Sequence, residues 1–156
     1  MRGDCDIIVV VMNTTLAKRL LACGVVPTPQ RLAVYASLAG RCDHPGADVV
    51  FRELRRKLPT LSKTTVYSTL QLLARKGLVR CVHAEGDETR YDGNAAFHAH
   101  FRCRACGKVY DVFLPKAHRK PFIAVPVGFE ADAEELTYYG TCSVCKNRDK
   151  KKGKEK

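Results

Sequence analysis

Apolar positions recur at helical spacing in three successive stretches of the chain. In the first, Thr28-Pro29-Gln30-Arg31 supplies a hydroxyl cap and a proline at the opening turn, and Leu32, Val34, Tyr35, Leu38 and Ala39 follow on one face before Gly40. A second helix is predicted from about Ala47 to Lys57, with Val50, Phe51, Leu54 and Leu58 as its buried stripe and Pro59 as its stop. Ser62 caps a third, in which Val66, Leu70, Leu73 and Leu78 face inward and Gly77 ends the run. A shorter helix over 15–22 precedes all three. The period then changes from helical to alternating. Leu78 to His83 and Glu88 to Asp92 read as two strands around the turn Glu85-Gly86-Asp87, a hairpin or wing.

The outer face of the third helix carries Lys63, Thr64, Thr65, Ser68, Gln71 and Arg75, with Tyr67 as its one long apolar neighbour. Hydrogen-bonding groups and cations on a capped helix suit a major groove, and the following hairpin completes a winged helix-turn-helix. Charge sharpens this picture. The net charge of +11 is uneven: residues 13–93 carry 13 basic against 7 acidic side chains, whereas 94–145 carry 6 against 5. A folded basic unit therefore precedes a nearly neutral one. Charge alone admits nucleic acid, anionic lipid or an acidic protein as partner; the helix, wing and charge together favour DNA. Residues 146–156 form a basic tail, expected to be solvated and disordered, that adds nonspecific attraction to polyanions. The apolar run Ile7 to Met12 is too short to span a bilayer, so a soluble protein with no membrane partner is expected. Residues 1–12 read as an extension, and Met12 as an alternative start.

Eight cysteines would suit a secreted disulfide scaffold, but four of them stand as Cys-x-x-Cys pairs, Cys103/Cys106 and Cys142/Cys145. Two such knuckles form a closed tetrahedral zinc site and point to a reducing cytoplasm. Because 35 residues separate the pairs, the metal is expected to staple two ends of a small domain. Cys5, Cys23, Cys42 and Cys81 lack ligand spacing and read as small apolar or incidental thiols.

In Phe97-His98-Ala99-His100-Phe101, strand alternation puts both imidazoles on one face and both phenyl rings on the other. A phased histidine pair suits metal ligation. Asp92 ends the wing, His44 sits in the turn Cys42-Asp43-His44-Pro45, and Asp111 follows Gly107-Lys108. Spacing does not establish that these five converge. Were they to do so, the shell of nitrogen and oxygen would favour Mn(II) or Fe(II), with zinc or nickel also able to bind. Such a metal would join the basic unit to the neutral one.

These residues resemble the ferric uptake regulator family, and most its peroxide-responsive branch. The resemblance runs from Thr28 to Cys145 and is carried by Thr28-Pro29-Gln30-Arg31, His44-Pro45-Gly46-Ala47-Asp48, Thr64-Thr65-Val66-Tyr67 with Gly77-Leu78-Val79, Arg90-Tyr91-Asp92, His98 to Lys108 and Tyr139 to Cys145. It implies an α+β chain: an N-terminal winged helix-turn-helix domain over 13–93, then a small α/β dimerisation domain over 94–145 with a four-cysteine zinc site. It further implies a homodimer on palindromic operator DNA, structural Zn2+ on Cys103, Cys106, Cys142 and Cys145, and regulatory Fe2+ or Mn2+ on His44, Asp92, His98, His100 and Asp111. The additional site of iron-sensing members draws on a histidine and an acid flanking the central pair, positions held here by Phe97 and Ala99. Asp111 stands where an aspartate is typical of peroxide sensors, in which Fe(II) reduces peroxide and a ligand imidazole is oxidised. Pro121 and Pro126 interrupt a segment that in the family is commonly a longer helix; His118 in that segment reads as solvated.

The leading expectation is thus a metal-dependent transcriptional repressor and not an enzyme, with Arg31, Lys63, Thr64, Thr65, Tyr67 and Ser68 on its DNA face. Two rivals are an iron, manganese or zinc sensor of the same family without peroxide chemistry, and a non-haem metalloenzyme built on the same ligands. A third is a zinc-stapled interaction module without a switch.

Overall fold

A run of capped helices opens the described chain. The computed structural model describes residues 14–83, 89–113, 125–131 and 134–152. Helix α1 covers 14–22. Helix α2, Pro29–Leu38, starts where Thr28 accepts the amide of Arg31 and a proline occupies the first turn. Helix α3 is Ala47–Arg55, two residues shorter than the pattern suggested, and Leu58 continues the chain through a bond from its amide to the Leu54 carbonyl. Helix α4, Lys63–Arg75, is capped by Ser62, which accepts the Thr65 amide at 3.0 Å. Gly77 follows it at φ +65°, the left-handed conformation that closes a helix at no steric cost.

Strands β1 (Arg80–His83) and β2 (Thr89–Asp92) pair antiparallel, with Arg80 opposite Asp92. This is the wing. Its turn, Glu85-Gly86-Asp87, lies outside the described residues, as do residues 1–12 with Met12, and Pro115, His118 and Pro121. Among the described residues, sixteen buried ones form one core in this first unit, Met1–Ala95, with Leu20, Val34, Leu38, Val50, Val66, Leu70 and Leu73 fully covered. Helices over a two-stranded wing with their own core make a winged helix, as the pattern indicated.

The second unit, Ala96–Lys156, holds a three-stranded sheet in the order β4-β3-β5. Strand β3 (Ala99–Cys103) pairs antiparallel with β4 (Val109–Val112), and parallel with β5 (Thr137–Gly140). Helix α5, Ser143–Lys152, follows. The basic tail expected to be disordered is thus helical as far as Lys152. Its sequence ends on a run of lysines, the charge that suits the negative end of a helix dipole. Among the described residues the buried cluster here is Cys103, Cys142 and Cys145, with Phe101 packed against them. A metal held by those thiols would add a cross-link to that packing. No helix among the described residues is long and apolar enough to cross a membrane.

Candidate metal centres and DNA face

The first centre is built by turns. Gly107, at φ +69°, lets the chain double back after Cys106, and its amide bonds the Cys103 carbonyl at 2.9 Å. The second knuckle is the first turn of α5, where the Lys146 amide bonds the Cys142 carbonyl at 2.9 Å. Strand pairing brings the two together, since β3 ends at Cys103 beside Gly140 of β5. All four sulfurs lie within 4.8 Å of one another, and those of Cys106 and Cys142 are 3.9 Å apart. A tetrahedron with bonds of about 2.3 Å to zinc requires sulfurs roughly 3.8 Å apart, so the group fits that ion. The electrostatics agree. The amide of Cys145, and then the Tyr110 hydroxyl, bring the Cys142 thiol down to about 6, while the neighbouring Cys106 pushes Cys145 up to about 12. The amide of Cys142, bonded to the Cys103 sulfur at 3.3 Å, likewise lowers Cys103. Thiols that divide their protons so unequally are a set that a divalent cation relieves.

The second unit also carries a second group of donors. His98 and His100 are almost fully buried, and their rings meet edge to face at 4.6 Å between centroids. Alternation along the chain puts both imidazoles on one side. Register then places Asp111 opposite His100, with its Oδ1 at 3.4 Å from Nε2 of His98 and 4.0 Å from Nε2 of His100. The His98 Nδ1 lies 2.8 Å from the Ala96 carbonyl, which can only accept. Nδ1 therefore donates to that carbonyl, and Nε2 faces the Asp111 carboxylate. Phe101 turns to the cysteine cluster as expected, whereas Phe97 is only half-buried.

In the first unit, His44 and Asp92 are each 1% exposed, and a donor atom of one lies within 4.8 Å of a donor atom of the other. The wing joins them: the Tyr91 amide bonds the Pro45 carbonyl at 3.1 Å, and Gly46 bridges to Arg90. His44 has φ +46°, a conformation that costs a non-glycine residue about 1–3 kcal/mol. Asp92 accepts the Asn94 amide at 2.8 Å. Sequence reading passed over Gly93, whose backbone packs so closely on Leu38 that an added Cβ would stand 2.2 Å from its carbonyl oxygen. No spacing rule signals that approach.

Along α4, Lys63, Thr64, Tyr67 and Ser68 are exposed. Thr65 is half-buried, and its hydroxyl meets that of Ser62 at 2.7 Å within the cap. Arg31 is anchored, its Nη1 donating to the Val26 carbonyl at 3.0 Å. Lys63 pairs with Asp48 of α3 at 2.8 Å, and Tyr67 donates to the same carboxylate.

A family model, the Ferric uptake regulator family, matches residues 22–139. The chain belongs to the ferric uptake regulator family. The peroxide operon regulator of Bacillus subtilis (strain 168) is 33% identical over 127 residues, spanning 81% of this chain and 88% of that protein. The crystal structure of the Campylobacter jejuni peroxide stress regulator is similar at a TM-score of 0.60 and 27% identity, covering 85% of this chain and 97% of the other. The ferric uptake regulator from Pseudomonas aeruginosa with manganese shares the fold at a TM-score of 0.64 and 23% identity, over 81% and 96% of the two chains. Within the family the four-cysteine group is a zinc-type site, and the His/Asp donors are of the kind that takes a regulatory divalent metal.

Proposed function

We propose that this chain is a metal-dependent repressor that binds operator DNA as a homodimer in the cytoplasm and releases it when peroxide oxidises a ligand histidine. His44 and Asp92 of the first unit, with His98 and His100 of the second, would supply the donors for the regulatory ion, and Asp111 would add to its negative surroundings. The observation that carries this reading is the pair of buried donor half-sets, one on each unit, in a chain whose relatives at about 30% identity are peroxide regulators.

Histidines and carboxylates make a nitrogen and oxygen shell suited to Fe(II) or Mn(II). Fe(II) held there would supply the electrons that reduce peroxide. The residues do the rest. An ion held by donors from both units would tie one to the other, so ligand loss would loosen that tie. The Ala96 carbonyl fixes the His98 ring through Nδ1, which would leave Nε2 to ligate the ion. Release of DNA then follows from losing one donor, and the event is used once per chain, unlike turnover.

The test is a DNA-binding titration of zinc-loaded protein with Mn(II) or Fe(II), each with and without peroxide. Loss of binding only with Fe(II) plus peroxide, accompanied by the mass of one added oxygen on His44 or His98, is the expected result. Binding that ignores peroxide in every sample would assign the chain to the metal sensors without peroxide chemistry. Binding that ignores chelation of the weaker metal would remove the switch altogether.

A further inference from the structure

Between α2 and α4 of the first unit lies an open depression of about 300 Å³, lined by Arg31, Ser68, Thr69, Leu72 and Arg75. Three features give it a chemical character. Its two charged members are both guanidinium groups, one from each helix, and neither α2 nor α4 contains an Asp or Glu. Arg31 is held in place through its Nη1 bond to the Val26 carbonyl, so part of its ordering cost is met before any ligand arrives. The floor is the buried Thr69 and the half-buried Leu72, and an apolar wall strengthens the field of the cations.

We infer that Arg31 and Arg75, with the Ser68 hydroxyl between them, form a seat for one phosphate group, and that its natural occupant is a backbone phosphate of duplex DNA. The DNA assignment rests on the reading of the protein as an operator-binding repressor. Guanidinium groups bind phosphate oxygens in a planar fork, which a lysine cannot reproduce. Positions 68 and 75 share the outer face of α4 with Thr64, so a duplex lying along that face runs past the depression. Ser68 donates to the Thr65 carbonyl at 3.2 Å, and its hydroxyl can turn to a phosphate oxygen instead.

The test uses the full chain loaded with zinc and Mn(II), a duplex selected by that protein from random sequence, and a scrambled duplex, each measured across a salt series. Arg75→Gln and Arg31→Gln should each weaken binding to both duplexes by about five- to tenfold, with a change of less than about 1 in the slope of log K on log salt, because the remaining arginine still neutralises the phosphate. Because both arginines hold a single phosphate, the double variant should lose about 1 in slope, not about 2. Arg75→Lys should fall between wild type and Arg75→Gln. Arg75 lies in the last turn of α4, so thermal unfolding measured beside binding separates a lost contact from a weakened helix.

An unchanged slope in the double variant, with wild type binding normally, overturns the seat and leaves the repressor reading intact. A loss confined to the selected duplex makes the arginines base readers and also overturns it. Inorganic phosphate, added at constant ionic strength, tests the other source of the same chemistry. If it shifts the Ser68 and Arg75 amides in wild type but not in Arg75→Gln, while the DNA slope stays fixed, the occupant is a free anion and the DNA assignment falls. Wild type that binds no duplex in the presence of Mn(II) sinks the repressor reading itself.

Discussion

The hydroxyl of Tyr67 donates to Oδ1 of Asp48 at 2.9 Å, and the same oxygen pairs with Lys63 at 2.8 Å, so an acidic residue of α3 holds two side chains of α4. The Lys63 ammonium, and after it the Tyr67 hydroxyl, keep the Asp48 carboxyl below the usual carboxylate range. A depressed folded value stabilises the contact above about pH 4, and the contact is lost as pH falls through that depressed value. Because the group is exposed, its weight in global stability is small. Its weight on the proposed DNA face is larger. Asp48→Asn should leave the melting temperature unchanged and raise affinity for any duplex several-fold, because a negative charge has left the face and Lys63 is released. Anisotropy measurements on selected and scrambled duplexes check this, and equal affinity in both proteins would reject it.

Tyr67 itself is 38% exposed, with its ring under Lys63 at 5.6 Å. Tyr67→Ala should reduce discrimination between selected and scrambled duplexes by about tenfold while leaving the salt slope in place, the pattern of a base contact. Equal loss on both sequences would assign the side chain to the backbone.

Zinc removal should act on the second unit alone. That unit's buried cluster is three cysteines and Phe101, whereas the first unit has sixteen buried residues of its own among those described. Cys142→Ser should lower zinc content below one ion per chain and abolish cooperative melting of the β4-β3-β5 sheet. Helical circular dichroism from α2 to α4 should persist. Leu70→Ala gives the complementary result: this fully buried residue of α4 should cost the first unit about 3 kcal/mol, with zinc content unchanged.

Much of this architecture was legible because it is local. Thr28, Pro29 and Ser62 announce their helices in the sequence, Gly77 its stop, and the spacing of His98 and His100 their common side. The paired cysteines gave the zinc group by chemistry alone. Relations between distant positions were not readable. Nothing in a single sequence indicates that β5 lies parallel to β3, that Tyr67 reaches Asp48 nineteen positions away, or that Arg75 and Arg31 share a depression. The left-handed backbone of His44 was also hidden, since histidine, though enriched among non-glycine residues at positive φ, adopts it too rarely to announce it.

Asp111 should set the charge of the regulatory ion's surroundings and not the fold of β4, because its partners at 3.4 and 4.0 Å are the two imidazoles. Asp111→Asn keeps the shape and removes the negative charge. Mn(II) affinity of the zinc-loaded protein should drop about tenfold or more by calorimetric titration, with an unchanged melting temperature. Retained affinity would place Asp111 outside the ion's influence.

Gly93 tests whether backbone placement beside Asp92 matters as much as the donors. A Cβ there would stand 2.2 Å from the Leu38 carbonyl oxygen and 2.7 Å from its carbon, both backbone atoms that no side-chain rotation can move aside. Gly93→Ala must therefore push the chain away from α2, and with it the Asp92 carboxylate, which is fixed by the Asn94 amide one residue beyond. Weaker Mn(II) binding together with a lower melting temperature of the first unit is expected. Replacing Gly107 by Ala, where nothing lies within 4 Å but φ is +69°, should strain only the zinc knuckle and spare Mn(II) affinity. Equal Mn(II) affinities in the two variants and wild type would show that the Asp92 turn tolerates displacement, and that the donor set does not depend on this close approach.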